Sequence, residues 1–244
     1  MAGKILSIGN SFSEDAHRWL HKLAKDNGVE LETVNLFIGG CGLETHWNNL
    51  KENRADYDFQ PNGNIGERKI SIAEALDLEK WDIITIQQVS QLSGVYESYE
   101  PYLSSVISIV RKVQPNAKVY IHQTWAYETD SNHGGFVNYN NNQAEMYRAI
   151  EQASEKAAKS INAKLLPSGK IIQILRDTVP EFDYKNKGLS LCRDGFHLSL
   201  DYGRFTAAAT WLKTITGKEI KTSNFEDFNP VLISKIVDVV NKNI

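Results

Sequence analysis

Apolar residues along this chain come in two patterns, short unbroken runs and longer stretches with helical spacing. The runs predict strands at residues 4–8, 29–37, 81–87 and 117–122, with a minimal edge strand at 164–167. Helical spacing predicts helices over 14–27 (through Ala16, Trp19, Leu20 and Leu23), 43–50, 71–78, 99–113, 140–161, 168–176 and 230–240. One more helix starts at Ser199 or Asp201 and runs to Thr216. Punctuation residues sharpen the boundaries. Asn27-Gly28 stops the first helix, Ser71 with Glu74 forms a capping box, Pro101 sits in a first turn, and Gly217 closes the helix before it. Residues 53–69 are polar around Pro61-Asn62-Gly63-Asn64 and read as a hairpin or surface excursion. Strands alternating with helices predict a parallel sheet covered on both faces. No repeat or low-complexity linker divides the chain, so residues 1–244 are expected to form one domain.

Composition adds mainly exclusions. The 244 residues are 41% hydrophobic and 23% charged, as in a water-exposed globular domain. A net charge of -3, with the 27 basic residues dispersed, argues against a nucleic-acid partner. No run of about 18 apolar residues suggests a membrane span. A core-like strand begins at Lys4, so no signal peptide is visible. The expected location is cytoplasmic if Met1 is the natural start, and periplasmic or secreted if a leader was removed. Cys41 and Cys192 do not make a disulfide scaffold, and the absence of a close Cys/His set argues against structural zinc. No cofactor is expected.

Three predicted strands end in small or polar residues: Gly9-Asn10-Ser11, Gly39-Gly40-Cys41-Gly42 and Gln87-Gln88-Val89-Ser90. In an open α/β sheet the binding crevice lies beyond such carboxyl ends. Ser11 has two readings, a helix cap or a nucleophile held in a strand-to-helix turn. Arg193-Asp194-Gly195-Phe196-His197 shifts the balance to the second. His197 would take the Ser11 proton, and Asp194, three residues upstream, would fix the ring's tautomer. For His197 the competing reading is a local cap at a helix start. Oxyanion donors would be the Ser11 and Gly40 N–H groups and a side-chain amide.

Gly9-Asn10-Ser11-Phe12-Ser13, paired with Asp194-Gly195-Phe196-His197, resembles the SGNH (GDSL-like) hydrolase superfamily. Within it the chain looks like an uncharacterised bacterial branch. The resemblance implies a flavodoxin-like three-layer α/β/α sandwich with a central five-stranded parallel sheet. It also implies a Ser11/His197/Asp194 triad, with Gly40, or alternatively Gly42, as second oxyanion donor. The family's third block carries an Asn donor where this chain reads Gln87-Gln88. Gln88 is the expected replacement, with Gln87 and Ser90 as rivals. His46, Trp47, Trp125 and Gln87 are expected to bind substrate, with Tyr127 and His133 nearby; the competing reading has Trp47 and Trp125 packing the bases of the loops. An aromatic platform beside amides would suit a sugar ring, as in the superfamily's carbohydrate O-acetyl esterases. The expected substrate is thus a small-molecule or saccharide ester, and a non-catalytic carbohydrate-binding protein is the alternative. His122 reads as a packed histidine, and Arg176 and Arg193 as surface ion pairs or, alternatively, as partners for an acidic substituent. The sulfurs of Cys41 and Cys192 are expected to lie near one another.

Overall fold

The computed structural model describes residues 2–66, 68–222 and 224–244. Met1 and Glu67, which bear on the expected location and on the 53–69 excursion, lie outside the described residues. Seven strands are found among the described residues: β1 (Ala2–Gly9), β2 (Glu30–Phe37), β3 (Tyr57–Pro61), β4 (Lys69–Ile70), β5 (Ile83–Ile86), β6 (Lys118–His122) and β7 (Lys164–Leu166). They form one sheet in the order β4-β3-β2-β1-β5-β6-β7. The pairs from β2 through β7 are parallel, whereas β3 runs antiparallel to β2 and to β4. The expected five-stranded, all-parallel, flavodoxin-like sheet is therefore wrong. The fold is a mixed α/β sandwich on a seven-stranded sheet.

The cause of the error is the polar segment 53–69. It lays Leu36 opposite Phe59 and Phe37 opposite Asp58, covering the outer edge of β2 with a hairpin that buries Tyr57. An uncovered edge there would leave a row of backbone groups unpaired. The hairpin also reaches the neighbouring helix: Asn35 donates to Gln60 Oε1 at 2.8 Å, and the Gln60 amide donates to Glu14 Oε2 at 2.7 Å.

Helices α1 (Ser11–His17), α2 (Leu20–Asp26), α7 (Ser168–Thr178), α8 (Tyr202–Thr216) and α9 (Pro230–Asn243) pack on one face of the sheet. Helices α3 (Leu43–Lys51), α4 (Ile72–Leu78) and α5 (Tyr102–Val113) pack on the other, and α6 (Gln143–Ser160) contributes to both cores. Strand alternation divides the side chains. Leu6, Ile8, Ile84 and Ile86 enter the second core, where α5 buries Leu103, Val106, Ile107 and Val110 at helical spacing. Each such side chain stabilises the fold by about 1.5–3 kcal/mol. Ile5 and Ile83 face the first core, together with three buried polar groups, Ser7, Thr85 and His122. The predicted 14–27 helix is two helices, because the chain breaks at Arg18-Trp19 and the Trp19 indole donates to Leu200 O.

Candidate active site

Strand β1 ends at Gly9, level with Phe37 at the end of β2, and Ile8 lies opposite Ile86 at the end of β5. The chain then turns directly into α1. Gly9 is required at this turn, since a Cβ there would come within 1.9 Å of Ser13 Oγ. Asn10, fully buried, is the N-cap: its Oδ1 accepts from the Phe12 N–H at 2.9 Å, and Ser13 Oγ accepts from the Asn10 N–H at 3.0 Å. The capping belongs to Asn10 and Ser13, which leaves Ser11 free for other work. Ser11 Oγ lies 2.9 Å from His197 Nε2, and His197 Nδ1 lies 2.7 Å from Asp194 Oδ2.

The loop carrying Asp194 and His197 is a short hairpin. Cys192 bridges Leu198, and the Arg193 N–H donates to His197 O at 2.9 Å. Gly195 at its tip has φ +85°, and a Cβ there would crowd Ser131 at 3.1 Å. This turn folds Asp194 back, so that Oδ1 also accepts from the His197 N–H at 2.7 Å and the Phe196 N–H at 3.2 Å. Partial burial works against the Asp194 charge. The hydrogen bonds from the His197 ring, its N–H and the Phe196 N–H outweigh that effect and lower the carboxyl pKa. A carboxylate acceptor at Nδ1 keeps the proton there and leaves Nε2 as the acceptor for the Ser11 hydroxyl.

Beneath Ser11 runs a chain of neutral hydrogen bonds. The Trp211 indole donates to Ser168 Oγ (3.1 Å), which lies 3.0 Å from His122 Nε2. His122 Nδ1 is 2.5 Å from Gln87 Oε1, the Gln87 amide donates to Asn10 Oδ1 (2.7 Å), and the Asn10 amide donates to Cys41 O (2.9 Å). Every donor points the same way, so the bonds polarise one another. Burial pushes the pKa of His122 down to about 3, and those of His17 and His46 likewise, so all three are neutral.

The other predicted residues divide. Gly40 is exposed at the third position of the turn closed by the Cys41 N–H on Ile38 O, with φ +66°. Gln88 is fully engaged: Oε1 accepts from the Leu43 and Val89 N–H groups at 3.0 and 2.9 Å, and its amide donates to Ser98 O and Oγ at 2.9 and 3.0 Å. It caps α3 from outside and has no hydrogen left for an oxyanion. Gln87 is a buried strut rather than a substrate contact. His46 lies fully buried, 2.9 Å from Tyr57 Oη. Trp47 is half-buried with Lys51 over its ring at 5.5 Å. Trp125 is fully buried, stacked on Phe12 at 4.4 Å, and donates to Phe196 O at 2.7 Å. The expected aromatic platform is therefore a floor. Tyr127 is buried with Ser90 Oγ 2.8 Å from its hydroxyl, and half-buried His133 packs on Phe196 at 4.8 Å.

The two arginines are not surface pairs. Arg176 is buried against Glu128 at 3.4 Å, and Arg193 reaches the fully buried Asp15 at 3.0 Å. Cys41 and Cys192 are both free and have separate neighbours, His46 Nδ1 at 3.4 Å and Arg176 Nη2 at 3.3 Å. Burial raises both thiols to about 12, which makes them inert. The sequence reading missed Asn10, Asp15 and Glu128. Only Asn10 and Asp15 left a signal, one beside Ser11 and the other one helical turn after it.

A family model for a domain of unknown function, DUF4886, matches residues 4–242. The chain belongs to the DUF4886 family. A DUF4886 protein from Bacteroides uniformis superposes with a TM-score of 0.92 at 37% identity, over 99% of this chain and 94% of that one. More distant structures share the fold. A candidate SGNH hydrolase from Slackia heliotrinireducens gives 0.60 at 23% identity, over 88% and 100% of the two chains. An acetylxylan esterase from Geobacillus stearothermophilus gives 0.53 at 14%, over 90% and 97%. No curated protein matches the sequence. This DUF4886 chain thus has the fold of SGNH/GDSL-like esterases at low identity. Among its described residues no helix is long and apolar enough to cross a membrane.

Proposed function

We propose that this DUF4886 protein is a serine hydrolase that cleaves small acyl esters, acetyl esters of saccharides foremost. The observation that carries the reading is the 2.9 Å approach of Ser11 Oγ to His197 Nε2, with Asp194 at the other ring nitrogen. In this reading His197 Nε2 takes the Ser11 proton as Oγ attacks the ester carbonyl carbon. Asp194 holds Nδ1–H and stabilises the imidazolium. The Ser11 N–H, at the first helical position and so without an intrahelical acceptor, and the Gly40 N–H meet the tetrahedral oxygen. The C–O bond breaks, and the alcohol leaves with the proton from His197. Water, deprotonated by the same ring, then releases the acid and restores Ser11.

The acetyl and saccharide preferences draw on the Geobacillus fold relative, an acetylxylan esterase. The internal packing of Trp125 and His46 removes two aromatic contacts that such a preference was expected to use, so the preference rests on that likeness alone. Hydrolysis of 4-nitrophenyl acetate, followed by absorbance for the protein and for Ser11→Ala, tests the reading. Turnover lost in the variant is expected, and equal rates for the two proteins would overturn it. The occupied Gln88 amide favours a second reading, a carbohydrate-binding protein with an incomplete oxyanion hole. Acetylated xylo-oligosaccharide bound without turnover would decide for it.

A further inference from the structure

Asp15 lies one helical turn after Ser11, on the same face of α1. Its carboxylate is 0% exposed, which is tenable only if each oxygen is matched. Oδ1 accepts from Arg193 Nη1 at 3.0 Å and from Arg204 Nε at 2.7 Å. Oδ2 accepts from the Leu198 N–H at 2.8 Å and from Arg193 Nη1 at 3.2 Å. Arg193 Nη1 also donates to Leu198 O. Arg193 immediately precedes Asp194, and Leu198 immediately follows His197. One carboxylate therefore grips both ends of the hairpin that carries the acid and the base, from the helix that carries the serine.

We propose that Asp15, acting through Arg193 and the Leu198 N–H, is a positioning residue that sets His197 Nε2 against Ser11 Oγ. The assignment to catalysis rests on the esterase reading above. The bland alternative is a buried ion pair that only stabilises the fold. Against it, all three bonds to the hairpin are directional and fall on the residues flanking Asp194 and His197. An apolar filling would satisfy stability equally well but could not fix register. A displacement of about 1 Å at reacting atoms lowers rates by roughly 100-fold.

Asp15→Asn leaves two arginines facing a neutral group and is at risk of misfolding, so Arg193→Gln is made beside it. Thermal unfolding of both variants establishes which of them fold. The rate on 4-nitrophenyl acetate gives kcat and KM separately, and imidazole 15N shifts of His197 report which ring nitrogen carries the proton. Folded Arg193→Gln is expected to keep KM within about twofold and lose about 10–100-fold in kcat. Its His197 is expected to change from one tautomer to a mixture. A folded variant with wild-type kcat and wild-type 15N shifts overturns the proposal, as does a change confined to KM. If the unaltered protein hydrolyses no ester, the esterase reading fails, and the 15N shifts alone decide the positioning role.

Discussion

The two halves of the candidate site are held by opposite means. Ser11 stands where a parallel strand becomes a helix, and the strand-end side of that turn is held by neutral groups: Asn10, Gln87, His122, Ser168 and Trp211 in one directed chain. His197 stands on a loop outside the sheet, and that loop is held by charge. Asp15 with Arg193 and Arg204 grips it from α1 and α8. Glu128 grips it from the other side, accepting from Ser190 Oγ at 2.8 Å and Gln143 Nε2 at 2.8 Å beside Arg176, while its own N–H donates to Gly195 O at 2.7 Å. Regular elements already fix their backbone, so weak neutral bonds suffice to aim a side chain there. A loop has no ladder, and only strong charge-assisted bonds overcome its freedom.

This contrast can be broken from either side. The largest effect is expected for Ser11→Ala, which should lower turnover of an aryl acetate by roughly 10⁴–10⁶-fold while leaving the unfolding midpoint near that of the parent. Next comes the charged side. Glu128→Ala strands Arg176 in the interior, and urea unfolding should show a loss of about 3–5 kcal/mol.

On the neutral side, pH is the probe. His17, His46 and His122 have folded pKa values lowered to about 3, below an unfolded value of about 6.5. The unfolded chain therefore binds more protons between those limits. The stability from keeping the rings neutral is full above about pH 6.5 and drains as pH falls toward about 3. Urea midpoints at pH 7 and pH 4.5 should differ by on the order of several kcal/mol in stability. A flat profile would remove the three buried neutral rings from the account.

Gln87→Leu leaves His122 Nδ1 without its acceptor and should lower stability by about 1–3 kcal/mol in the same assay. The smallest effect on chemistry is expected for Gln88→Ala. Steady-state kinetics should show kcat changed by no more than about threefold, against the roughly 100–1,000-fold that loss of an oxyanion donor brings.

Local chemistry in the sequence foretold much of this architecture, and non-local pairing did not. Gly9-Asn10-Ser11 announced the turn, and the Ser71/Glu74 capping box formed as read, with the Glu74 N–H on Ser71 Oγ at 3.2 Å. Residues 53–69 form the hairpin that was one of their two readings. Its joining of the main sheet was not legible, because only Tyr57 and Gln60 of Tyr57–Pro61 are buried and the strand is too polar to read as sheet. The break at Arg18-Trp19 involves neither Gly nor Pro, so periodicity passed over it. The aromatic residues misled for another reason. Composition cannot say which face of a loop a ring takes, and Trp125 went inward onto Phe12. Glu128 pairs with Arg176 across 48 residues and left no local trace, whereas Asp15 shows its place one helical turn after Ser11 but not its partner Arg193, 178 residues away. Gln88 resembled an oxyanion donor by position alone, and Leu43, Val89 and Ser98 claim its whole amide.

The central claim is that Ser11 is an activated nucleophile, and intact-mass spectrometry after exposure to a fluorophosphonate addresses it most directly. The account predicts one phosphonyl adduct per chain, mapped to Ser11, absent from Ser11→Ala and strongly slowed in His197→Ala. No adduct on the unaltered protein, or an adduct that persists in Ser11→Ala, would contradict it.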